Sequence, residues 1–146
     1  MAEIDAGKAT MIELNVLRSP DKQEFTRIAF FREGGYGGGR GYDGKPSGKP
    51  FRSSLVCIES SQSSTLPDVL LRAPEIAPVD IRPDEPLKLR VFIDKSVVEV
   101  FVNGKQCLAV RVYPGLEKST GVSLKTQGQD AMLRSLDAWQ VKNIYE

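Results

Sequence analysis

The search for chemistry starts at two carboxylates. Asp94 and Glu99 flank a short turn at Lys95-Ser96 and, at strand spacing, fall on one face. A retaining glycosidase needs such a pair, one carboxyl as nucleophile and one as acid/base. The plainer reading is two solvated carboxylates with Glu99 balanced by Arg90, since exposed ion pairs are common on strand faces. Other chemistry is thinner. The chain has no histidine, which removes Ser-His and Cys-His dyads and any His-ligated metal site. Cys57 and Cys107 each lie in an apolar run and are expected to be small buried thiols, with a single disulfide left open. No catalytic residue, no metal ligand and no cofactor-binding residue is assigned.

Binding is the next possibility. Tyr36, Tyr42, Trp139 and Tyr145 could stack on sugar rings, because a flat aromatic face offers a large apolar area at little entropic cost. Tyr36 and Tyr42 are the candidate sugar contacts, against the simpler role of anchoring their loop; Trp139 is expected in the core. Arg27, Arg32, Arg40 and Arg52, with Lys45 and Lys49, surround the same loop and could grip a phosphate. The charge balance argues otherwise. With 20 Lys+Arg against 19 Asp+Glu, the net charge is +1, so neither a nucleic acid nor an anionic membrane is an expected partner. No apolar run is long enough to span a bilayer. Gly39-Arg-Gly41-Tyr-Asp-Gly44 matches a dinucleotide fingerprint formally, but Lys45-Pro46 follows where a helix must open.

The elements that must position these residues read as strands. Ile12, Leu14 and Val16 alternate on one face, Ser19-Pro20-Asp21 signals a turn, and 24–31 resumes with aromatic and β-branched residues. A glycine-rich loop is expected over 34–50, holding 8 of the 13 glycines. A strand follows at 54–59. Five prolines then limit 66–86 to short or edge strands at 69–72 and 76–81.

The clearest region is 87–113. Leu87, Leu89, Val91 and Ile93 share a face, as do Val98, Val100 and Val102. Opposing Ile93 to Val98 makes a wholly apolar ladder and requires a turn of even length; an odd one would carry Glu99 into the core. Arg90, Phe92, Glu99 and Phe101 then line the outer face, with Arg90 and Glu99 diagonal neighbours. Asn103-Gly104 is a two-residue hairpin signal, yet the inward pattern Leu108, Val110, Val112 wants an odd loop. A bulge would reconcile them. Strands at 121–126 and 131–141 close the pattern. The expectation is one all-β domain over 1–146, an antiparallel two-sheet β-sandwich of the lectin-like jelly-roll type. The acidic start, Met-Ala-Glu-Ile-Asp, has no leader character, and the strand pattern begins at once. A cytoplasmic protein or an internal piece of a longer chain would both fit, the second better.

The run from Leu87 through Val-Phe-Val-Asn-Gly104, continued by Ala109-Val-Arg-Val-Tyr-Pro114 and Leu136-Asp-Ala-Trp139, resembles the C-terminal β-sandwich of glycoside hydrolase family 32. That family comprises invertases, levanases and inulinases. The resemblance implies a parent whose five-bladed N-terminal propeller carries the catalytic Asn-Asp-Pro, Arg-Asp-Pro and Glu-Cys motifs. None of these occurs here, so no catalytic role carries over. It further implies that the sandwich stabilises the propeller; the outer face of the ladder, where two phenylalanines point away from the core, makes Arg90, Phe92, Glu99 and Phe101 the candidate interface residues. Homo-oligomer contacts and a fructan or other carbohydrate are further partners it would allow. The glycine-rich loop has no counterpart in the family pattern.

Overall fold

The computed structural model describes residues 1–37 and 51–142. Ten strands form among them: β1 (Ala2–Asp5), β2 (Met11–Arg18), β3 (Thr26–Gly37), β4 (Phe51–Glu59), β5 (Glu75–Val79), β6 (Leu87–Asp94), β7 (Val97–Val102), β8 (Gln106–Arg111), β9 (Gly121–Gln127) and β10 (Met132–Leu136). Among the described residues there is no helix. Two five-stranded sheets result, sheet A in the order β10-β1-β6-β7-β8 and sheet B in the order β5-β4-β3-β2-β9, every pairing antiparallel. The β-sandwich is as expected.

Period-two alternation builds the core. Ile12, Leu14, Ile28, Phe30, Val56 and Ile58 point inward from sheet B and meet Ile4, Leu87, Leu89, Val98, Val100 and Val102 from sheet A. The ladder has the even register: Leu89 faces Val102, Val91 faces Val100 and Ile93 faces Val98, with Lys95-Ser96 as the turn. Glu99 is thereby kept out of the core, opposite Phe92.

The second turn takes three residues, since the strands resume at Val102↔Gln106. Asn103 and Gly104 adopt φ of 51° and 67°, and Lys105 N–H donates to the Val102 carbonyl at 2.9 Å. The Asn-Gly pair makes the tight turn and Lys105 is the extra residue, which satisfies both signals. The Asn103 side chain fastens this turn to the preceding loop. Its Oδ1 accepts from Lys88 N–H at 2.8 Å, and its Nδ2 donates to Glu85 and to the Pro86 carbonyl, each at 2.9 Å. Asn103→Ala is expected to cost about 1–2 kcal/mol in urea unfolding, from the lost bonds and the positive φ.

Four expectations need correction. Residues 69–72 form no strand, and the next one is β5, Glu75–Val79. The last strand ends at Leu136 rather than continuing to 141. Trp139 is 69% exposed, outside the core. Cys57 and Cys107 are both free, and Cys107 is exposed on the outer face of β8, opposite Phe101. The glycine-rich stretch also starts as strand: β3 runs to Gly37 and pairs Tyr36 with Arg52. Tyr42 and Tyr145 lie outside the described residues.

Candidate functional site

Alternation along β6 and β7 projects Arg90, Phe92, Glu99 and Phe101 from the outer face of sheet A, because their neighbours Leu89, Val91, Val98, Val100 and Val102 are drawn into the core. The four predicted residues are therefore together. Phe92 and Phe101 keep 43% and 36% of their surface exposed. Their rings meet edge to face at 5.8 Å between centroids, and the Arg90 guanidinium lies over Phe92 at 5.3 Å. Each geometry is attractive, since the π face is electron-rich and the ring edge and guanidinium are positive. Arg90 thus stacks on a ring, and among the described residues it forms no ion pair with Glu99, contrary to expectation. Across β1 and β10 the same sheet face is charged and self-satisfied. Lys88 pairs with Glu3 at 3.4 Å, and Arg134 pairs with Glu3 and Asp5 at 3.7 and 3.2 Å. The outer face is divided into an ion-paired half and an aromatic half.

Asp94 and Glu99 share this face, and Asp94 lines a groove that does not include Glu99. Among the described residues no group of three His, Cys, Asp or Glu side chains could hold a metal. Arg27 is engaged by Glu13 at 3.5 Å and Glu59 at 2.9 Å on the outer face of sheet B. This removes it from any phosphate-gripping set.

Three features were missed from the sequence. The first is Glu24, a fully buried carboxylate two residues before β3. Its oxygens accept from Thr65 N–H (2.6 Å), Thr65 Oγ1 (2.9 Å), Gly115 N–H (2.7 Å), Leu116 N–H (3.0 Å) and Ser119 Oγ (2.7 Å). Burial pushes its carboxyl up, but donation from Ser119, Thr65 and Gly115 outweighs this and holds it at about 2. It ties the 60–66 and 113–120 loops to the sandwich. The second is a small cleft of about 210 Å³ between the 60–72 segment and the end of β8, lined by Ser60, Asp68, Arg72, Arg111 and Tyr113. Arg111 and Tyr113 belong to the Arg-Val-Tyr-Pro motif, which was the available signal. The third is an apolar groove of about 1020 Å³ that opens between the sheets beside β6 and includes Phe92, Ile93, Leu136 and Trp139.

These features define a β-sandwich with an aromatic patch on one sheet and an apolar groove at its edge. Comparisons with known proteins give its family. The family model described as "Glycosyl hydrolases family 32 C terminal" matches residues 1–140, and the chain belongs to that family. A β-fructofuranosidase of Arabidopsis thaliana, insoluble isoenzyme CWINV5, is 33% identical over 137 residues, covering 89% of this chain and 22% of the relative. Insoluble isoenzyme 2 of Daucus carota is 37% identical over 93 residues, 60% of this chain and 16% of the relative. Among solved structures, fructan 1-exohydrolase IIa of Cichorium intybus superposes with a TM-score of 0.63 at 25% identity, covering 87% of this chain and 22% of that one. The chain thus spans about a fifth of the length of these relatives.

Proposed function

We propose that this chain is the non-catalytic sandwich module of a longer glycoside hydrolase that cleaves fructan or sucrose, and that it stabilises the catalytic propeller. The outer face of sheet A, through Arg90, Phe92 and Phe101, is the docking surface. The observation that carries this reading is the half-exposed, edge-to-face Phe92–Phe101 pair. An antiparallel sheet with one solvated side normally places polar residues outward, and contiguous exposed apolar surface marks an interface. The parent's substrate class is taken from the relatives, which are named as β-fructofuranosidases and a fructan exohydrolase.

The test joins the module to the catalytic domain encoded with it. The combined changes Phe92→Ser and Phe101→Ser are expected to leave the isolated module within about 1 kcal/mol of its stability, because both rings are surface residues. In the full-length enzyme they should lower the propeller's melting temperature by several degrees and shorten its active lifetime on sucrose. Equal melting of the variant and unaltered enzymes would refute the docking role, as would sucrose turnover by residues 1–146 alone.

A further inference from the structure

Two loops far apart in the chain are held together by one side chain. The Glu24 carboxylate accepts from Thr65 N–H at 2.6 Å in one loop and from Gly115 N–H at 2.7 Å in the other. The loops touch closely there: a Cβ added to Gly115 would lie 2.8 Å from Leu66 Cγ and 3.1 Å from Glu24 Oε1. Further bonds brace the segments that lead into this junction. The Ser63 and Thr26 hydroxyls bond at 2.8 Å, and Phe25 N–H donates to the Gln62 carbonyl at 2.8 Å. Val112 N–H donates to the Ser96 carbonyl, also at 2.8 Å. The cleft of about 210 Å³ lies between these two braced segments. Its walls are set before a ligand arrives, so binding does not bear the ordering cost of a mobile loop.

The side chains around the cleft are of mixed kind. Arg111 and Tyr113 alternate with Val110 and Val112, which point into the core. This leaves the Tyr113 ring 44% exposed at the cleft, with Val69 and Val112 as further apolar lining. From the facing segment come the Asp68 carboxylate, the Arg72 guanidinium and the Ser60 hydroxyl. Among the described residues, the ion pairs of the sandwich use none of Asp68, Arg72 and Arg111.

An acceptor, several donors and an open ring around one small cleft match a neutral polyhydroxylated ligand. Neighbouring hydroxyls of a sugar can donate to a carboxylate and accept from guanidinium groups, while its C–H face packs on an aromatic ring. An inorganic anion would suit the two arginines but not Asp68, and it would leave the apolar wall unused. Size agrees. An enclosed cavity of about 150 Å³ holds benzene, so an open cleft of about 210 Å³ takes one sugar unit with the rest of a chain outside.

We propose that this cleft is a binding subsite for a single sugar unit. Tyr113 lies against the C–H face, Asp68 accepts from the hydroxyls, and Arg72 and Arg111 donate to them. Glu24 is a positioning residue, acting through the two loops and touching no ligand. That the unit is fructose rests on the reading above, in which the parent cleaves fructan or sucrose.

The experiment follows the amide resonances of residues 1–146 during titration with fructose, a short fructan, glucose and inorganic phosphate. Fructose and the fructan are expected to give saturable shifts around Asp68, Arg72, Arg111 and Tyr113, with a dissociation constant on the order of 1 mM for so small a contact. Arg111→Met and Tyr113→Ser should each weaken binding about tenfold, while unshifted resonances elsewhere show the sandwich intact. No saturable shift with any sugar would overturn the proposal, and so would equal affinity in both variants. Saturation by phosphate as readily as by sugar would make the cleft an anion site and overturn it too. Binding of glucose without fructose would keep the subsite and sink the fructose assignment. Propeller docking is read separately, by melting of the full-length enzyme, so either reading can fail alone.

Discussion

Glu24→Ala is expected to cost about 3–5 kcal/mol in urea unfolding at pH 7, among the larger losses a single substitution produces. The carboxylate accepts from three backbone N–H groups and two hydroxyls. Removing it strands donors in a site that has no exposure to water. Glu24→Gln separates charge from shape. It keeps one carbonyl oxygen but replaces the other acceptor with an amide that cannot accept from Leu116 N–H, and a loss of about 2 kcal/mol is expected.

The pH dependence distinguishes a paired carboxylate from a merely well-packed one. Glu24 is held at about 2 in the folded chain, against an ordinary value of 4.5. The unfolded chain therefore takes up the proton first, and stability falls with pH. The contribution is complete above the ordinary value and is lost as pH drops through 4.5 toward 2. Glu85, lowered to about 2 by its bonds with Lys105 and Asn103, acts in the same window. The measurement is thus a difference. Unfolding free energy against pH should be shallower for Glu24→Gln than for the unaltered chain between pH 5 and the acid limit, yet not flat. Parallel curves would show that Glu24 is not the acid-sensitive clamp.

The second large effect tests the ladder. Val100 is fully buried at the centre of β7, between Val91 and Leu108. Val100→Glu places a carboxylate among valines and leucines with no partner, and by circular dichroism the chain is expected to be unfolded at neutral pH, a loss beyond about 4 kcal/mol. Slipping the register by one residue offers no escape, because it would expose the alternate valines and bury Glu99 instead. Val97→Glu, on the outer face of the same strand, should stay folded, within about 1 kcal/mol of the unaltered chain. A cooperative melt for Val100→Glu would mean that the inner face of β7 is not the core.

These expectations differ in how far the sequence could have reached them. The β6–β7 register was legible because its evidence is local: four apolar positions at period two before a short turn and three after it, with one charged residue whose burial forbids the alternative. The turn at Asn103 was legible as a conflict between two local signals, and the structure resolves it by admitting both. Arg90 was misjudged for a related reason. Diagonal neighbours were correctly placed, but whether a guanidinium turns to a carboxylate or to a ring depends on rotamers and on the aromatic pair beside it.

Glu24 was not legible. Its partners lie 41 to 95 residues away in two loops that carry no periodic pattern, and a lone glutamate after a turn looks like any solvated one. Trp139 was misplaced because apolar spacing was taken to imply burial, whereas residues 137–142 leave the sheet after β10 and line the groove.

By itself, the sequence determined the fold class, the inward ladder and the family. Each follows from alternation at period two or from a contiguous motif, and neighbouring residues settle both. Only the tertiary structure decided how the outer face divides and where a carboxylate could be buried with its oxygens hydrogen-bonded. Those depend on which distant segments meet, and hydrogen-bond satisfaction between loops leaves no periodic trace in a chain.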